Sequence, residues 1–72
     1  MALTDTAAQL GSSLAAVRDR KGLSGRQLAR LVDIDHGYLW RIEHGKPTTL
    51  ERYGSIAKAL GYDLVFKLKR AP

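Results

Sequence analysis

Apolar residues return at helical spacing in four stretches of the chain and at alternate positions in a fifth. In the first, Leu10, Leu14 and Val17 form one stripe, while Ser12, Ser13, Asp19 and Arg20 fall mostly elsewhere. Thr4 or Asp5 can cap this helix, and Gly11 weakens its early part. Arg20 and Lys21 suit its negative end, and Gly22 stops it. Ser24 caps a second helix over residues 25–32, with Leu23 placed to staple onto Leu28. Leu28, Ala29 and either Leu31 or Val32 face inward. Asp33 and Ile34 form a break, because Asp tolerates the left-handed backbone of a tight turn. Asp35 caps a third helix that runs to about His44 and ends at Gly45, with Ile34, Leu39 and Ile42 as its buried stripe. After Pro47, Thr48 or Thr49 opens a fourth, with Leu50, Tyr53, Ile56, Ala57 and Leu60 at helical spacing and Gly61 at its end.

The last stretch changes period. Leu64, Phe66 and Leu68 share one face, and Asp63, Lys67 and Lys69 the other, which predicts a half-buried strand. No other segment reads as a strand, so its ladder needs a partner. A second copy of the chain, paired about a two-fold axis, supplies one and buries the Leu64/Phe66/Leu68 face. A tail packed loosely on its own helices, or disordered, is the alternative. Lys67, Lys69 and Arg70 are expected to keep the strand edge soluble.

Composition narrows the classes. With 72 residues there is room for one small core, which usually needs reinforcement. The chain has no cysteine, so disulfides and thiolate metal sites are excluded. Its two histidines, His36 and His44, are too few for a histidine-only zinc site and lie about two turns apart on one helix. No metal or cofactor is expected. Twelve Lys+Arg against seven Asp+Glu give a net charge of +5, suited to a polyanion but also to a solvated surface. No apolar run approaches the roughly 20 residues of a membrane span, and the start lacks a secretory pattern. A cytoplasmic protein is the default expectation. No catalytic Ser/His/Asp set, paired acids or phosphate-cradling glycine loop appears, so an enzyme is not expected.

The candidate function lies in helices two and three. In a helix-turn-helix, the second helix of the unit enters the major groove with its first residues at base edges. Here its outward residues are His36, Gly37, Tyr38, Trp40, Arg41 and His44. Arg41 can bond guanine O6 and N7 in bidentate fashion. His36 can donate to a base or phosphate, and Gly37 lets the backbone come near. Trp40 can meet a thymine methyl or cover the core edge. Tyr38 can reach a phosphate or pack on helix two. Arg26, Lys46, Thr48 and Thr49 flank the unit as phosphate contacts, which set register rather than sequence.

Leu10-Gly11 through Arg18, Gly22-Leu23-Ser24, Leu28-Ala29, Ile34, Leu39, Arg41 through Pro47 and Leu50 together resemble the Cro/C1-type (XRE) helix-turn-helix family. The resemblance covers about residues 10 to 61. It implies an all-α, lambda-repressor-like bundle of four to five short helices and a dimer bound to double-stranded DNA at a palindromic operator. Half-sites are then about 10 bp apart or a multiple of that. Gly45 through Leu50 and the strand after Gly61 are similar to HipB-like antitoxins. That implies autorepression of an operon, a HipA-like kinase toxin as partner, and a C-terminal strand paired across the homodimer. The resemblance also implies an ion pair between Arg18 and Glu43 that fixes how the reading helix docks. Two positions depart from the family. Gly25 stands where Gln usually reaches the DNA backbone, so that contact falls to a backbone N–H, Arg26 or Gln27. Asp33 stands where Gly is common. The expected division is residues 1–61 as DNA-binding domain and 62–72 as dimerisation strand and basic tail. A phage Cro-like or restriction-modification controller without a toxin, or a protein-interaction module using Trp40 and Tyr38, are the alternatives.

Overall fold

The computed structural model describes residues 3–66, 68 and 70–72, with side chains from residue 6 onward. Among the described residues there are four helices: α1 Leu3–Arg20, α2 Gly25–Leu31, α3 His36–Glu43 and α4 Leu50–Ala59. α1 and α2 both pack on α3, and α4 packs on α1 and α2.

α1 begins before the expected cap, so Thr4 and Asp5 lie inside it. Gly11 is not a weak point but a contact. It is buried, and a Cβ there would collide with the Ile42 carbonyl oxygen, so the missing side chain lets α1 close on the end of α3. The Ser24 cap of α2 is a full capping box: Gln27 N–H donates to Ser24 Oγ at 3.0 Å, and Ser24 N–H to Gln27 Oε1 at 2.7 Å. α2 is only seven residues long, so Leu28 and Ala29, both buried, hold it to the core. Val32 packs inward and Leu31 points out, which settles the choice between them.

The turn runs through Asp33, whose φ of 56° is left-handed. There Ile34 N–H donates to Ala29 O at 3.0 Å and its side chain packs on the core. Asp35 caps α3 by accepting from the N–H groups of Gly37 (2.9 Å) and Tyr38 (3.2 Å). At the far end Gly45 takes a φ of 103°, and Lys46 N–H donates to Arg41 O at 2.8 Å. This Schellman closure needs a residue without a side-chain penalty. Thr49, not Thr48, caps α4, accepting from Arg52 N–H at 3.1 Å.

Leu14, Leu28, Leu39, Ile42, Ile56 and Leu60 anchor one buried cluster with Ala29, Tyr53 and Ala57. Leu50 departs from the expected stripe: it opens α4 on the surface, 63% exposed. The C-terminal strand is also a correction. Residues 62–66, 68 and 70–72 form no strand. Leu64 packs against the core, while Val65, Phe66 and Leu68 stand in solvent. A single chain offers this segment no ladder partner, so its alternation cannot become a sheet on its own. Lys67 and Lys69 lie outside the described residues.

Candidate nucleic-acid interface

The unit α2–turn–α3 is tied to α1 by an ion pair. Arg18 on α1 donates to Glu43 on α3 twice, Nε to Oε2 at 2.7 Å and Nη2 to Oε1 at 3.0 Å. Its remaining nitrogen donates to Leu23 O at 2.8 Å, at the entry to α2. One guanidinium thus ties α1, the start of α2 and the end of α3 together in a planar fork. The hydrogen bond to Glu43 and then its charge, with Asp19 adding, hold Arg18 above its ordinary pKa against the opposing effect of burial.

Around the outer face of α3 the side chains form three groups. At the front are His36, Gly37 and Arg41. Arg41 is exposed, and its guanidinium runs back one turn, to 4.0 Å from where a Cβ of Gly37 would sit. That direction follows from the tilt of helical side chains toward the N-terminus. A Cβ at Gly37 would also lie 3.0 Å from the capping carboxylate of Asp35, so this glycine serves the cap as well as the outer surface. His36 does not stand free: its ring lies against Gly25 at the start of α2.

On the flank, Tyr38 is half-buried on the core and its hydroxyl hydrogen-bonds Thr48 Oγ1 at 2.7 Å. Lys46 and Arg52 lie against its ring, 5.2 and 5.5 Å from the centroid. This cluster fixes the loop after α3 and presents two cations beside it. Arg52 was not among the sequence candidates. Its place in the first turn of α4, three residues past the Thr49 cap, is the signal that could have found it.

On the last turns of α3, Trp40 is 53% exposed and stacks on His44, ring centroids 3.7 Å apart and planes within 14°. His44 Nδ1 hydrogen-bonds Trp40 O at 2.8 Å. The indole is therefore not a core cover, and one of its faces is occupied. Of the remaining candidates, Gln27 is tied into the α2 cap through its Oε1, Arg26 is exposed, and Thr49 is exposed with its hydroxyl on the α4 cap. Leu64, Phe66 and Leu68 belong to the C-terminal segment and not to this face. Among the described residues no three His, Cys, Asp or Glu side chains gather as a metal would require, and no helix is long and apolar enough to cross a membrane.

Two helices joined by a three-to-four-residue turn, the second presenting its outer side chains, define a helix-turn-helix. Residues 9–65 match the family described as Helix-turn-helix domain, and the chain belongs to that family. Among solved structures it is similar to the clp gene regulator ClgR from Corynebacterium glutamicum. One crystal structure shares 34% identity and a TM-score of 0.76, over 79% of this chain and 74% of that one. A second shares 35% identity and a TM-score of 0.75, over 78% of this chain and 61% of the longer ClgR chain. No curated protein matches.

Proposed function

We propose that this protein is a sequence-specific DNA-binding transcriptional regulator that lays α3 in the major groove. The observation that carries this is Arg41: exposed, drawn over Gly37 to the front of a helix whose docking angle is fixed by the Arg18–Glu43 fork. Family membership and the similarity to ClgR, a clp gene regulator, support it. Tyr38 with Lys46, Thr48 and Arg52 then grips phosphates on one flank.

The finer reading is a repressor that works as a homodimer on a palindrome. The exposed apolar side chains of Val65, Phe66 and Leu68 favour association of two copies through the C-terminal segment. Within this class, the similarity to ClgR, a clp gene regulator, supports a gene regulator. A HipB-like antitoxin with a HipA-like kinase is the second reading, carried by the resemblance of Gly45 through Leu50, and co-purification with a kinase-like product of the adjacent gene tests it.

Selection from a randomised duplex library tests the main proposal. The expected result is enrichment of an inverted repeat with half-sites about one helical turn, roughly 10 bp, apart or a multiple of it. Failure to retain any duplex at low salt would overturn it.

A further inference from the structure

We propose that the cleft between α2 and α3, lined by Arg26, Arg30 and His36, is a seat for one DNA backbone phosphate, and that Gly25 makes this seat. The inference rests on the DNA-binding reading and assigns His36 a different task from base reading. Gly25 is the first residue of α2 and His36 the first of α3. A Cβ on Gly25 would lie 3.1 Å from His36 Nε2 and 3.3 Å from Cδ2, so any side chain at position 25 would press on the imidazole and the ring would have to give. The ring is thereby laid across the start of α2 instead of projecting off α3, and it is half-buried there.

In that position it forms one wall of a cleft of ≈ 200 Å³ shared with Arg26, Ala29, Arg30 and Ile34. Arg26 and Arg30 are four residues apart on α2 and so stand on one face, both exposed. Two like charges at this spacing repel, and no carboxylate lines the cleft to offset them. Among the described residues the one ion pair is Arg18–Glu43, so neither arginine has an acidic partner within the fold. The missing counter-charge is an anion from outside. Guanidinium groups bond phosphate oxygens through paired N–H donors, and a ring N–H of His36 supplies a further donor. Ala29 and Ile34 contribute apolar side chains to the lining. The seat lies beside the reading face, where a phosphate contact sets the register of α3 without reading a base.

The test compares the wild type with Arg26→Ala, Arg30→Ala, His36→Ala, Gly25→Ala and the Gly25→Ala/His36→Ala double variant. Each is measured on the library-selected duplex and on an unrelated duplex at several salt concentrations, and thermal melting checks folding. Each arginine variant is expected to weaken both duplexes alike and to lower the slope of log affinity against log salt, by at most about 1 because both arginines serve one phosphate. His36→Ala is expected to weaken both by on the order of tenfold and to select the same bases from the library. Gly25→Ala presses the ring aside and should lose part of that factor with an undiminished melting temperature. The double variant should then lose no more than His36→Ala alone. Altered base preference in His36→Ala, unchanged salt slopes in both arginine variants, or additive losses in the double variant would each overturn the seat. If the wild type itself binds no duplex, the DNA-binding reading fails and the seat with it. Wild-type binding combined with any of the three contrary results sinks the seat alone.

Discussion

At the scale of single residues, two backbone positions carry the geometry of the unit. Gly11 lets α1 approach the Ile42 carbonyl. Helix propensity alone favours Ala there by about 1 kcal/mol. The collision is with backbone, which cannot rotate away, so packing should win. Gly11→Ala is expected to destabilise by about 1–3 kcal/mol, read as a lower melting temperature. A rise would mean that the close approach of α1 to α3 is absent in solution. Asp33 is the second position, held at a φ of 56°. Asp33→Val should cost about 1–2 kcal/mol, since a branched side chain resists the left-handed region. Asp33→Gly should stay within about 1 kcal/mol of the wild type, because it relieves strain while loosening the unfolded chain. Equal destabilisation by both in chemical denaturation would show that the side chain, and not the backbone, matters at the turn.

At the scale of elements, Glu43 ties α3 to α1 through Arg18, and the proposed reading role of α3 rests on Arg41. Glu43→Ala leaves the Arg18 guanidinium partly buried with one carbonyl partner, Leu23 O. A loss of about 2–4 kcal/mol follows from such an orphaned charge. Arg41→Ala, on an exposed side chain, should shift stability by no more than about 0.5 kcal/mol. Thermal melting of the two variants decides this, and the reverse order would mean that the fork does not hold α3. Arg18's pKa is raised in the folded state, so its share of the stabilisation is present below the ordinary arginine range and is lost only as pH rises above it. Titration of Arg18 therefore adds no pH dependence to stability through the neutral range. The four helices were legible because periodicity agreed with caps or glycine stops at several of their ends, as with Ser24, Asp35 and Gly45, though not at the start of α1. What stayed hidden depends on distant neighbours. Gly11 read as a helix breaker because Ile42, its reason, is 31 positions away in sequence. Leu50 read as core because spacing cannot tell the end of a stripe from its middle. The C-terminal segment alternates, yet alternation does not supply the second edge that a ladder needs, and its described residues form no strand. The same limit holds for the reading face: outward positions on α3 were evident, but the stack of Trp40 on His44, the ring of His36 over Gly25 and the place of Arg52 beside Tyr38 are tertiary facts.

At the scale of the whole molecule, the basic balance of +5 and the exposed C-terminal apolar residues set how the protein meets its partners. Lys46→Ala and Arg52→Ala should each lower the salt slope of DNA binding by about 1 while leaving base preference intact. Unchanged slopes in titrations across salt would remove the Tyr38 cluster from the interface. Phe66→Asp combined with Leu68→Asp changes only exposed side chains, so folding should survive. Sedimentation at micromolar concentration is expected to show a dimer for the wild type and a monomer for this variant. A wild-type monomer would contradict association through the C-terminal segment. The most direct test of α3 as the reading element is the ratio of affinities for the selected and an unrelated duplex, measured for Arg41→Ala beside the wild type. The expected result is a fall in that ratio of roughly 5- to 150-fold, the worth of one bidentate contact of about 1–3 kcal/mol, with the melting temperature unchanged. An unchanged ratio would contradict the assignment of α3 as the element that reads DNA.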